Sequence, residues 1–398
     1  MDGGRVPMNS RDRVRTAFAH REPDRVPLFE LSIDAAPASA LMEREMWVGS
    51  YGFNAARANR MAAAGAGAEW AERTRRDTLE LWHAVGLDMI VVPRPGRREG
   101  RVLETRGEYR WRFTDPLTGY WEEFVYEPRS ASYAQVRSSL DDGGEGDLER
   151  YVAALERIEH RAEDYDLASL DQWFAGTGDL FVLMGADVDF PPASRSWARL
   201  FMEGLILRPD LIDRYLDAQM PSRLLMIEEA FKRGVDGVLA GNDWASAMGP
   251  LISPKHYRRF IVPRFRQIAD LCHAHGGVLV KHTDGNVRRL EPVLFDECEV
   301  DGWHPVDPTV GLTVAEYKAR YGDRITLIGN VNCATTLVSG TRADAVAETR
   351  AVIRDGAPGG GFILSSSNSI HAGVKPDLYA GLLEAAREYG TYPIERNS

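Results

Sequence analysis

Eight short β-rich runs, most of them separated by a helical pattern, constrain this chain more than any other feature. They read VPLFELSI (26–33), DMIVVP (88–93), LFVLMGAD (180–187), GVLAGND (237–243), GVLVKHTD (277–284), VDGWHP (300–305), ITLIGNVN (325–332) and GFILSSSN (361–368). Most are continuous apolar runs rather than alternating ones, the mark of strands buried on both faces of a parallel sheet. Amphipathic stretches lie between them, for example 209–234 and 253–276. The first carries Leu211, Ile212, Tyr215 and Leu216 at helical spacing and is expected to be interrupted by Pro221. Strands alternating with helices over 398 residues favour a (β/α)8 TIM barrel over an open doubly wound sheet, with residues 1–398 as one domain. Residues 101–126 break the alternation. They read as a β-hairpin or short meander inserted after the second strand, with turns at Arg106-Gly107 and 115–119, and their aromatics are expected to pack over one end of the barrel.

Composition narrows the function classes. Apolar residues make up 44% and charged residues 27%, the balance of a soluble globular chain, and the net charge of −11 argues against a nucleic-acid or anionic-membrane partner. Cys272, Cys298 and Cys333 are odd in number and form no CxxC pair, so a reducing compartment without disulfides is expected. The charged first residues lack the apolar stretch of a signal peptide, and no run reaches the roughly 20 apolar residues of a membrane span. A cytoplasmic location is the expectation.

In a barrel, chemistry gathers on the loops after the strands. Those positions hold Glu30, Asp34, Asp187, Asp189, Asn242, Asp243, His282, Asp284, Asn286, His304, Asn330, Asn332, Asn368 and His371. Apolar strands that end in Asp, Asn and His are hard to explain by packing, because buried polar groups cost free energy unless paired. His282 and Asp284 are two apart, so a strand continuing through them points both to one side, where they could bind a divalent metal or act as a base and its orienting partner. Asp284 could equally cap the next helix. Asp243, beside Trp244, reads as an acid/base or substrate anchor or as a helix cap. His282, Asp284 and Asp243 are the catalytic candidates. Glu30, Asp187, Asn242, Asn330, Asn332, Asn368 and His371 are the candidate substrate contacts, although Asn330 and Asn332 also suit turns. Cys333 is either a soft metal ligand beside His282 and Asp284 or a small buried apolar residue. Asp88 begins its strand and is structural by the same rule. Gly359-Gly360-Gly361 lacks the Lys-Ser/Thr ending of a phosphate loop and precedes a strand, so that reading fails.

These motifs resemble the uroporphyrinogen decarboxylase superfamily. The resemblance runs from Arg11-Asp12-Arg13-Val14-Arg15 and Arg21-Glu22-Pro23-Asp24-Arg25-Val26-Pro27 through Leu251-Ile252-Ser253-Pro254, the His282–Asn286 cluster and Gly329-Asn330-Val331 to the final Gly-Phe-Ile-Leu run. It implies a (β/α)8 barrel and offers two chemistries. True decarboxylases carry an Arg-rich segment after the first strand. Here that place reads Phe29-Glu30-Leu31-Ser32-Ile33-Asp34-Ala35-Ala36, whose acids would repel a polycarboxylate. Asp88-Met89-Ile90-Val91-Val92-Pro93 does resemble the segment bearing the decarboxylase's catalytic aspartate.

The other branch, the cobamide-dependent methyltransferases, implies zinc held by a His-x-Cys pair and a distant cysteine. His282 matches the histidine, while Asp284 and Asn368 stand where the cysteines would be. A set of His, Asp and Asn is harder than the family's and weaker for zinc. The expected activity is methyl transfer between a small substrate and a corrinoid, with zinc as the candidate metal. The chain has no corrinoid-binding Asp-x-His-x-x-Gly motif, so a corrinoid would arrive free or on a partner protein. The alternatives are a lyase or decarboxylase acting on a small organic acid, with His282 or Asp243 carrying the proton, uroporphyrinogen decarboxylation itself, and a barrel that binds without catalysis.

Overall fold

The apolar runs become one parallel sheet in the computed structural model, which describes residues 7–49, 52–129, 132–188, 190 and 195–394. Among the described residues, thirteen strands follow in chain order: β1 (Met89–Val92), β2 (Val102–Gly107), β3 (Arg110–Thr114), β4 (Trp121–Glu127), β5 (Ser132–Ser138), β6 (Phe181–Gly185), β7 (Gly237–Ala240), β8 (Ala245–Ser246), β9 (Gly249–Pro250), β10 (Val278–His282), β11 (Gly302–His304), β12 (Thr326–Val331) and β13 (Phe362–Ser366). A curled seven-stranded parallel sheet has the order β1-β6-β7-β10-β11-β12-β13.

The first expected strand, 26–33, does not extend the ladder. It touches both sheet edges through isolated parallel bridges, Leu28 with Leu364 of β13 and Phe29 with Met89 of β1. Two local facts limit the pairing. Pro27 has no N–H to give, and the N–H of Leu28 goes to the Asp88 carboxylate at 2.9 Å rather than to a neighbouring strand.

Strand alternation sorts the side chains into two cores. Phe29, Met89, Phe181, Leu183, Leu239, Val280, Ile328 and Ile363 pack together inside the curl. Leu279, Trp303, Leu327 and Leu364 point the other way, into the larger core beneath the helices. The residues two positions beyond the inner set therefore form the next layer toward the strand ends.

Two expectations are corrected here. Of the hairpin or short meander expected over 101–126, the structure shows a meander, but of four antiparallel strands, β2-β3-β4-β5, running on to Ser138. Trp111 and Tyr126 are buried with Ala56 of the helix Phe53–Ala63 and Tyr133 packs against them, so the sheet shares a small separate core with that helix. Pro221 likewise does not interrupt its helix, which is continuous over Pro209–Phe231. Leu211, Ile212, Tyr215, Leu216 and Met220 before the proline, and Met226, Ile227 and Ala230 after it, are all buried. Packing on both sides outweighs the one backbone bond lost.

Asp88 lies at the amino-terminal end of β1, away from the strand ends. Its carboxylate accepts from Arg13 Nη1 at 2.6 Å, Arg25 Nη1 at 2.7 Å, Ser10 Oγ at 2.8 Å and Leu28 N. The arginine-rich start of the chain thus anchors to the base of the sheet. Among the described residues, no helix is long and apolar enough to cross a membrane.

Candidate active site

One residue pair along each strand from the inner apolar layer lie four polar side chains: His282 beyond Val280, His304 beyond Gly302, Asn330 beyond Ile328 and Ser365 beyond Ile363. Parallel register sets His282 opposite His304, and Asn330 opposite Ser365. The two rings meet through their Nδ1 atoms at 2.8 Å, and His304 Nε2 lies 3.4 Å from Ser365 Oγ. Asn330 donates to the Val306 carbonyl at 2.8 Å.

The other nitrogen of His282 faces two carboxylates. Nε2 is 3.6 Å from Asp243 Oδ1, in the loop after β7, and 3.9 Å from Asp284 Oδ1, just past β10. Together they form a group of three ligand atoms within 4.8 Å of one another. Asp284 Oδ1 is buried with no hydrogen-bond partner. Its Oδ2 accepts from Asn368 Nδ2, and its N–H donates to Asp243 Oδ1 at 2.9 Å. Gly285 follows with φ +84°, a conformation that favours glycine, and a Cβ there would stand 2.6 Å from the Ser246 carbonyl. The turn after β10 thus packs directly on the β8–β9 hairpin.

Burial lowers the affinity of His282 for a second proton, partly offset by Asp243. Burial, then the charges of Asp243 and Asp307, push the Asp284 carboxyl up to about 7. A neutral imidazole and crowded acceptors are what a cation would relieve. The donor set is one imidazole nitrogen and two carboxylate oxygens, a combination suited to a divalent ion taken by nitrogen and oxygen.

Cys333 is not in this group. Its thiol lies 3.4 Å from Ser367 Oγ, and burial pushes it up to about 11, so it behaves as a buried apolar residue rather than a thiolate ligand. Asp243 takes the third place. Glu30 is also directed elsewhere. It points away from the inner layer, buried behind the sheet, and accepts from Ser366 Oγ at 2.6 Å and Ser366 N at 3.2 Å. Asp187 is paired with Lys281 at 2.8 Å and accepts from Asn242 N at 2.9 Å. Lys281 Nζ also donates to the Asn242 carbonyl at 2.5 Å, and Asn242 Nδ2 to Val188 O at 2.7 Å. This knot ties the ends of β6, β7 and β10 together and fixes Asp243 by its neighbour.

The remaining candidates divide. Asn368 reaches the site through Asp284. Asn332 closes a local turn, its Oδ1 accepting from Ala334 N and Thr335 N at 2.9 Å each. His371 bonds the Cys333 carbonyl at 3.0 Å. Asp189 lies outside the described residues. Sequence reasoning gave no role to Lys281 or Ser365 and counted His304 only among the polar strand ends. A lysine inside an otherwise apolar strand was the available signal for the first; nothing local pairs His304 with His282.

Residues 194–389 match the uroporphyrinogen decarboxylase (URO-D) family, a stretch that contains the whole His282 cluster. Over part of its length the chain is similar to uroporphyrinogen decarboxylases and to methylcobamide:CoM methyltransferases. It is 27% identical to a uroporphyrinogen decarboxylase of Thioalkalivibrio sulfidiphilus over 50% of this chain and 54% of that protein. It is 28% identical to a methylcobamide:CoM methyltransferase of Methanosarcina barkeri over 41% of this chain and 47% of that one. The chain thus spans about half the length of the curated relatives it matches. A solved methyltransferase from Methanosarcina mazei shares the fold, with a TM-score of 0.59 at 18% identity over 96% of this chain and 99% of the other. The superfamily relatives are enzymes, decarboxylases or methyltransferases.

Proposed function

We propose that this protein is a methyltransferase of the superfamily, moving a methyl group between a small substrate and a corrinoid carried to the strand ends by a partner protein. The observation that carries the reading is the convergence of His282 Nε2, Asp243 Oδ1 and the unpartnered Asp284 Oδ1 within 4.8 Å. These three would hold a divalent ion of the zinc class. Such an ion supplies Lewis-acid activation of the group that gives up or receives the methyl. Asp243, with a side chain 46% exposed, is the member within reach of an incoming substrate, while His282 and Asp284 are held from behind by His304 and Asn368. With carboxylates in place of the cysteines of the family's zinc set, the site favours an oxygen or nitrogen leaving group over a thiol acceptor.

Decarboxylation is the second reading, favoured by the decarboxylase relatives. It calls for cations to hold substrate carboxylates. Lys281, the cation next to His282, is already committed to Asp187 and the Asn242 carbonyl, and Glu30 and Asp34 stand where an Arg-rich segment would be.

Metal analysis of the purified protein, combined with a spectral titration against methylcobalamin and cob(I)alamin, tests the proposal. The expected result is one divalent ion per chain, lost in His282→Ala, and demethylation of the corrinoid. Absence of both metal and spectral change would overturn it and leave the decarboxylase reading ahead.

A further inference from the structure

Among the described residues, four other than glycine hold a positive φ, and of these only Val306, at +58°, is β-branched. A branched Cβ makes that conformation costly, so it persists only where the surroundings impose it. Val306 is fully buried in the loop after β11, two residues beyond His304. Its carbonyl accepts from Asn330 Nδ2 at 2.8 Å. The main chain of Pro305 lies so close to Gly329 that a Cβ there would collide with the Pro305 carbonyl. β12 thus grips both residues that precede Asp307.

What the strained turn delivers is the Asp307 carboxylate, which is 7% exposed and whose two oxygens have separate tasks. Oδ1 accepts from Thr309 N at 2.9 Å and Thr309 Oγ1 at 2.6 Å, which holds the carboxylate still. Oδ2 accepts from Gly285 N at 2.9 Å, in the turn after β10. That turn is held one amide at a time. Thr283 N donates to the His304 carbonyl at 3.0 Å and Asn286 N to the Ser246 carbonyl at 2.9 Å. Between them, the amides of Asp284 and Gly285 donate to the carboxylates of Asp243 and Asp307. Asp243 belongs to the ligand group itself, so of these two carboxylates Asp307 is the one acting from outside it.

We propose that Asn330 and Asp307 are positioning residues. Asn330 holds Val306 in its strained turn, and the turn brings Asp307 to the Gly285 amide, which keeps the Asp284 carboxylate beside His282 and Asp243. This role differs from the substrate contact that the place of Asn330 at a strand end suggests, because its amide nitrogen is committed to the protein's own backbone. The consequence for catalysis rests on the divalent-ion reading above; the placement of Asp284 does not.

The test uses the full-length protein, with amide exchange measured on the metal-free, nitrogen-15-labelled chain and affinity measured with cobalt(II) alone. In the wild type the Gly285 amide should exchange slowly; exchange at the rate of an exposed amide overturns the proposal without any variant. Asn330→Leu removes the donor to Val306, and Asp307→Ala removes the acceptor for Gly285. Each should speed exchange at Gly285 and lower cobalt(II) affinity about 10–100-fold, the usual effect of removing groups that orient metal ligands. Adding Val306→Gly to Asn330→Leu is the discriminating step, since glycine holds a positive φ without outside support. The double variant should recover slow exchange and most of the affinity, which a general loss of packing would not allow. Thermal melts establish which variants are folded. Unchanged exchange at Gly285 in a folded single variant, or no recovery in a folded double variant, would overturn the proposal. So would cobalt(II) affinity that is indifferent to all three substitutions, with the functional reading left intact. If exchange follows the expected pattern but the wild type binds no cobalt(II), the functional reading fails while this proposal stands.

Discussion

Glu30→Gln separates a buried acid from a buried anion. Glu30 is 2% exposed, and the oxygens of its carboxyl meet the N–H and hydroxyl of Ser366 behind the sheet. Burial pushes it from the ordinary 4.5 up to about 8, with the Ser366 contacts acting in the opposite direction. The folded state therefore binds this proton more tightly than the unfolded state. Stability falls as pH rises from 4.5 toward about 8 and levels off above. At about 1.4 kcal/mol per pH unit, the full gap corresponds to several kcal/mol, of which roughly 1 kcal/mol is lost between pH ~7 and ~9. Glutamine copies the protonated form. Its oxygen can still accept from Ser366 N, and its amide can donate to a reversed Ser366 hydroxyl. Urea unfolding across this range should show the wild type losing stability relative to Glu30→Gln as pH rises. A difference infrared spectrum should show a protonated-carboxyl band at neutral pH that vanishes with a midpoint near 8 and is missing in the variant. Parallel stability curves for the two proteins, or no such band at neutral pH, would refute the assignment.

Two further predictions concern residues outside the ligand group. Asp88→Ala removes the carboxylate shared by Arg13 Nη1 and Arg25, leaving Arg13, whose side chain is only 7% exposed, with Asp24 as its remaining partner acid. Denaturation should show a loss of about 3–5 kcal/mol, the cost of breaking a buried ion pair from one side, and Asp88→Asn should lose less. The Cys333 thiol, pushed up to about 11 and packed on Ser367, should resist thiol reagents at neutral pH in the native protein and react only in denaturant. Rapid native labelling at Cys333, located by peptide mapping, would contradict that placement.

The sequence was a good guide wherever a local pattern carries the information. Short β-rich runs marked all seven strands of the parallel sheet, most of them continuously apolar because burial on both faces leaves little room for polar alternation. A two-residue spacing put His282 and Asp284 on one side, where both contribute to the same group. The buried anchoring of Asp88 followed from its place at the start of a strand rather than its end.

Tertiary structure decided the rest, for a reason inherent in such strands. When both faces are apolar, the sequence does not say which face lies inside the curl, so Glu30 could not be told apart from a residue at the strand mouth, and only the packed sheet turns it toward Ser366. Register between parallel strands is likewise not written in local spacing. His304, 22 residues from His282, meets it only because β10 and β11 align at those positions. Asp243 joins the same group across 41 residues through the N–H of Asp284, replacing Cys333, which the fold packs against Ser367 instead. The sequence by itself determined which strands form and that His282 ends one of them. The curl of the sheet chose its partners, since those contacts come from strands brought side by side and not from neighbours in the chain.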